Sequence, residues 1–175
     1  VKDPTGTISR TVHDDIGRPI EQWVGTNDST FSGGEPSGTD NMVKVSSTIY
    51  DGGSAGGLSL VTSTTAYIQD SATGARTTSY LYDDRGRRKV TLPPQKPYSV
   101  VKLDEMGRAI ASGMYSSSSG LTASTDPTSV TTNRIALSET SYNDRGQVYK
   151  TTVHKIASGG TSSDSLDSES WFDPA

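Results

Sequence analysis

The residues best able to do chemistry in this chain are few and scattered. Gly52 to Gly56 reads Gly-Gly-Ser-Ala-Gly, a literal Gly-x-Ser-x-Gly in which Ser54 would be a hydrolase nucleophile. That chemistry needs a strand, a sharp turn and then a helix. The residues that follow, Gly-Leu-Ser-Leu-Val-Thr-Ser-Thr-Thr, are β-branched and strand-like, so a plain turn is expected instead. His13 and His154 are the only histidines and hence the only ordinary neutral-pH bases. Neither stands in a recognisable constellation: His13 reads as a strand residue facing Pro19, and His154 alternates with Thr152 and Ile156 as a sheet-face residue. Two acidic groups, Asp28, Glu35 and Asp40 in one loop and Asp164, Asp167 and Glu169 in another, supply oxygen ligands without the spacing of a calcium loop. Asn27-Asp28-Ser29 is a glycosylation sequon. Trp23, Trp171 and the tyrosines could stack on sugars, although on strands they pack across neighbours. No catalytic, cofactor-binding or metal residue is assigned, and no enzyme is expected.

Composition narrows the elements that must carry these residues. Leu, Ile, Val and Phe supply 30 of 175 residues, less than the roughly 20% of an ordinary globular chain. Disorder is disfavoured, because the net charge is only -4 and the chain carries 8 Tyr and 2 Trp. Ser and Thr number 27 and 23, with 18 Gly, so residues that tolerate strands and make turns dominate. Thin, repetitive β structure is the remaining reading. The absence of cysteine excludes disulfides and thiolate metal sites. A pI near 5.1 provides no basic footprint for nucleic acid. No apolar run is long enough for a membrane span, and the first residues do not read as a signal peptide, so an export signal would lie outside this chain. The Ser/Thr richness points to an extracellular or cell-surface setting.

One short pattern recurs. Val12–Ile20 reads VHDDIGRPI, Tyr80–Val90 YLYDDRGRRKV, Val101–Ile110 VKLDEMGRAI and Thr140–Tyr149 TSYNDRGQVY. A further copy, TIYDGGSAGGLSL, has an expanded turn, and the terminal SWFDPA begins another with Asp173. Turns are thus expected near 14–17, 51–57, 83–86, 104–107 and 143–146, with a truncated copy at 171–175. Asp favours the first position of a type I turn, and the glycine takes the left-handed position after it. Asp14, Asp51, Asp83, Asp104 and Asn143 open the bends, while Gly17, Gly86, Gly107 and Gly146 close them. The register puts Asp14 opposite Arg18, Asp83 opposite Arg87 and Asp104 opposite Arg108. In the fourth of these turns Asn143 and Gln147 replace both charges together. Tyr50, Tyr82 and Tyr142 precede three of the bends, and Tyr82 is expected to stack with Arg88, sharing a face with Tyr80 and Val90. A second set of connections, at 2–6, 69–74, 92–97 and 124–129, lies between the repeated turns. Residues 26–42, 116–134 and 157–169 read as long Ser/Gly/Thr-rich loops.

Repeated Tyr-Asp-x-x-Gly-Arg resembles the signature of the YD-repeat, or RHS-repeat, family. Tyr82–Arg87 matches it fully, and the other copies match with departures. The resemblance covers essentially the whole chain, a single repeat segment over 1–175. It implies an all-β fold: antiparallel hairpins in a curved or spiralling sheet, shell-, tube- or solenoid-like, without significant helix. It also implies a fragment of a longer, large secreted bacterial-type protein. The expected function is structural, the hairpins assembling into a tube, shell or filament whose partners are neighbouring repeats or copies of the chain, through sheet edges. Rival expectations are part of a toxin-encapsulating shell and a carbohydrate-binding or adhesive module with glycan partners.

Overall fold

A computed structural model describes residues 1–32, 36–68 and 74–172. Its strands are β1 (Ile8–His13), β2 (Pro19–Gly25), β3 (Val43–Tyr50), β4 (Val61–Ala66), β5 (Arg76–Tyr82) and β6 (Arg88–Leu92). They continue as β7 (Tyr98–Leu103), β8 (Ala109–Tyr115), β9 (Arg134–Tyr142), β10 (Val148–Ile156) and β11 (Ser162–Glu169). Sheet order equals chain order, each strand antiparallel to the next. The fold is therefore all-β and built of successive hairpins, and the sole helical element among the described residues is a three-residue 3-10 turn, Gly53–Ala55. The cause is local. Val, Ile, Thr and Tyr suit a pleated, half-buried surface, and a turn-forming Asp or Gly interrupts each run before a helix could nucleate.

Two sequence expectations change here. Residues 162–169, read as loop, form β11, because the polar run SSDSLDSE pairs throughout with β10. Its pairing is held by side chains: Thr152 donates to Asp167 at 2.7 Å, and Lys150 meets the same carboxylate at 2.7 Å. The strand-like run after Asp51 begins pairing only at Val61, because the N–H groups of Leu58 and Leu60 are taken by the Asp51 carboxylate at 2.7 Å each. The truncated copy's Asp173, the connection at 69–73 and Glu35 lie outside the described residues.

The chain divides into two compact units, Val1–Ser79 and Tyr80–Ala175. In the first, Ile8, Trp23 and Met42 are buried together, with Val12 and Phe31 against them. The Trp23 and Phe31 rings meet edge-on at 5.3 Å. The connection carrying Phe31 and Met42 is pinned by Asn41, whose side-chain oxygen accepts the N–H groups of Thr26 and Asn27 at 2.8 Å.

In the second unit Val90, Val100, Tyr115 and Leu121 form the core, surrounded by Leu81, Leu92, Tyr98 and Val130. The segment between β8 and β9 is more than the plain loop its composition suggests: it folds onto the strands and buries Leu121, Thr125 and Pro127. Gly113 permits this approach, since a Cβ there would lie 2.7 Å from Pro127 Cβ. The phenol of Tyr115 has no exposed surface and donates to the Val130 carbonyl at 3.0 Å, closing the segment over itself. Burial pushes that phenol's pKa up.

Candidate functional site

Each recurrent turn is the same hydrogen-bonded device. Asp83 N–H donates to the Arg87 carbonyl at 3.0 Å, and Gly86 N–H returns to the Asp83 carbonyl at 2.9 Å. One carboxylate oxygen of Asp83 accepts the N–H groups of Arg85 and Arg87 at 3.0 and 2.9 Å. The other accepts Arg87 Nε at 2.8 Å. Gly86 has φ 72°, where a side chain would be strained. The Asp14 and Asp104 turns repeat this, with Nε contacts from Arg18 at 2.6 Å and Arg108 at 2.7 Å. Gly17 and Gly107 have φ 86° and 85°. In the uncharged copy Asn143 Oδ1 takes the two backbone N–H groups, its Nδ2 donates to Gln147 Oε1 at 2.9 Å, and Gly146 has φ 77°. Opposite charges and matched amides are thus alternative ways to make one contact.

These bonds hold the turn carboxylates below the usual range. At Asp83 the Arg87 guanidinium is the largest cause. At Asp14 and Asp104 burial pushes upward, but the N–H and guanidinium of the paired arginine prevail. Asp51 is lowered chiefly by the Leu58 N–H, so the expanded turn keeps the closure while enclosing more residues.

What sequence reading missed is where the arginines go next. Arg18 reaches over the following turn, donating to the carbonyls of Gly53 at 2.6 Å and Gly56 at 3.0 Å, and its guanidinium lies 4.5 Å over the Tyr50 ring. The Tyr50 hydroxyl returns a bond to the Pro19 carbonyl at 3.2 Å. Arg108 stacks likewise on Tyr142 at 4.5 Å, and the Tyr142 hydroxyl donates to the Ala109 carbonyl at 3.1 Å. Arg87, followed by a copy with Leu103 in the tyrosine position, donates to the Asp104 carbonyl at 2.7 Å. The available signal was a tyrosine before the turn that follows an Arg-bearing turn, but the two residues lie over thirty positions apart in sequence.

The expected Tyr82–Arg88 stack is replaced: Arg88 lies 5.3 Å over Tyr80. In sibling hairpins the pairing slips by one residue just beyond the turn, Leu103 facing Ala109 but Lys102 facing Ala111. A bulge of this kind moves every later side chain by one position. Leu81 packs against the core cluster that contains Val90.

The same backbone closure also occurs at the other ends of strands. Asp3 N–H donates to Thr7 and Gly6 N–H to Asp3, at 2.8 and 3.0 Å, while Ala157 and Gly160 do the same at the β10–β11 turn. Neither carries an arginine after its glycine, which sets them apart from the Asp14, Asp83 and Asp104 turns.

The chemical candidates disperse. Ser54 lines a pocket of about 370 Å³ with Asp14, Glu21, Tyr50 and Tyr67, and no histidine lines it. His13 faces Pro19 in an exposed strand. His154 Nε2 lies 3.3 Å from Glu139 Oε1 without a hydrogen-bonding alignment. Asp28 is paired with Arg10 at 2.6 Å, and Asp40 accepts the Thr30 N–H at 2.9 Å. Asp164, Asp167 and Glu169 lie along a strand, and among the described residues no three His, Asp or Glu side chains gather as a metal site would require. The amide of Asn27 donates to the Thr39 carbonyl at 2.9 Å, so its sequon is engaged in the fold. Trp23 is buried with its indole N–H on Glu21, and cannot be a sugar platform, whereas Trp171 is 90% exposed. No helix among the described residues is long and apolar enough to cross a membrane. No family model matches the chain, and no curated protein sequence matches it.

Proposed function

We propose that this chain is a structural segment of a YD-repeat protein, extracellular or on the cell surface, whose hairpins stack edge to edge into a tube, shell or filament. The observation that supports this reading most is the linkage of turn to turn by Arg18, Arg87 and Arg108. An arginine that closes its own hairpin and grips the next one spaces successive repeats without acting on any substrate. Repeat architectures draw stability from such nearest-neighbour contacts. Sheet-edge backbone supplies the remaining means of joining neighbouring repeats or copies. A glycan partner remains a secondary reading, favoured by the exposure of Trp171. Electron microscopy of the native material tests the proposal. Regular tubes, closed shells or fibres are expected, and a dispersed monomer of this length would overturn it.

A further inference from the structure

Arg134 opens β9 with only 4% of its surface exposed. Arg10, Arg18, Arg87, Arg88 and Arg108 each have a carboxylate or an aromatic ring beside the guanidinium, whereas the bonds of Arg134 run to neutral oxygens. Its Nε donates to the Gly160 carbonyl at 3.0 Å, Nη1 to Pro127 at 2.6 Å and Thr128 at 3.4 Å, and Nη2 to the Ser162 hydroxyl at 3.3 Å. These four bonds use four of five N–H donors, and among the described residues no carboxylate forms an ion pair with the guanidinium. The acid of the same connecting segment, Asp126, is taken by Lys102 at 2.6 Å. A buried cation without a counter-ion is costly, and carbonyl dipoles offset only part of that cost.

Arg134 also lines an open recess of about 390 Å³, together with Ser116, Asn133, Ser158, Gly159 and Gly160. No carboxylate lines it. Gly159 and Gly160 have φ 94° and 84°, so this part of the wall is bare backbone that a ligand can approach closely. Gly160 is further constrained, since a Cβ would fall 1.7 Å from the Thr131 carbonyl oxygen. The turn therefore keeps its glycine and its carbonyl on Arg134.

We propose that this recess binds an oxyanion group, a carboxylate or phosphate borne on a larger molecule, with Arg134 supplying the counter-charge and Asn133 and Ser158 the neutral polar contacts. A planar guanidinium suits such a group better than an ammonium would. The site lies apart from the Asp-x-x-Gly row and does not depend on the assembly reading.

The test is a titration of the isotope-labelled chain with acetate and with inorganic phosphate at constant ionic strength, with chloride as the balancing ion. Saturable shifts of the Gly159, Gly160 and Asn133 amide resonances are expected with at least one oxyanion, and which one acts identifies carboxylate or phosphate as the source. Ser158→Asp places a carboxylate at the recess and is expected to weaken binding at least about tenfold. Asn133→Asp serves as the second variant should the first fail to fold. Absence of saturable shifts with both anions, or unchanged binding in a folded variant, overturns the proposal.

Discussion

In the second unit, the two ends of the strands solve the same problem differently. At one end the Asp83, Asp104 and Asn143 turns repeat a single closure whose ion pairs are partly open to solvent, Arg108 and Asp104 being 31% and 18% exposed. At the other end the connection between β8 and β9 is irregular, yet it covers Tyr115 and Leu121 and is tied down by Arg134. The repeated end sets spacing, and the unrepeated end supplies the dry core. The first unit sharpens this contrast, because its Arg18 and Asp14 side chains are only 9% and 1% exposed. Sequence there is nearly that of the sibling turns; the expanded turn at Gly53–Gly56 covers the pair. Burial of a repeated motif is thus decided by its neighbour.

The largest loss is expected where the core depends on one side chain. Tyr115→Ala should destabilise the chain by about 3–5 kcal/mol in denaturant unfolding. A loss under about 1 kcal/mol would mean that the β8–β9 segment contributes little to the core.

Next comes the comparison between turns. Arg18→Ala should cost about two to three times as much as Arg108→Ala, because both forfeit a stacked ring but Arg18 also forfeits two carbonyl bonds in a covered site. Equal losses would show that the covering turn adds nothing.

A smaller effect is read in acid. Burial pushes Asp126 upward, but the bonds from Lys102 and Thr128 prevail and lower it from 3.8 to about 2. A depressed carboxylate stabilises the fold fully above its unfolded value, so this contribution is present above pH 3.8 and fades as the pH falls towards 2. Asp126→Asn should flatten the unfolding midpoint over that window without abolishing the slope, since the turn aspartates are shifted the same way. An unchanged slope would remove Asp126 from the account.

The smallest effect belongs to the uncharged copy. Asn143→Asp with Gln147→Arg should restore an ion pair and change stability by less than about 1 kcal/mol. A large change in either direction would show that the two contacts are not equivalent.

Much of this was legible in the residues. The runs YSVVKL, RIALSETSY and VYKTTVHKI carry the β-branched and aromatic residues that favour strands, and they form β7, β9 and β10. The bends at Asp14, Asp83, Asp104 and Asn143 could be placed because their chemistry is complete within five positions: an acceptor, a left-handed glycine and a partner. β11 escaped because Ser162–Glu169 carries little apolar signal, and its pairing rests on Lys150 and Thr152 of another strand. The Tyr82–Arg88 expectation failed because two rings, Tyr80 and Tyr82, lie within reach of Arg88 on one strand, and nothing in YLYDDRGRRKV says which of them it covers.

By itself the amino-acid sequence determined an antiparallel hairpin chain with Asp-x-x-Gly closures, since turn propensity and β-branched runs act over a few bonds. Only the tertiary structure decided which turn is buried, which ring each arginine covers, and that a Ser/Thr-rich connection closes the core over Tyr115. Those outcomes depend on contacts between segments tens of residues apart, whose free energy no local stretch contains.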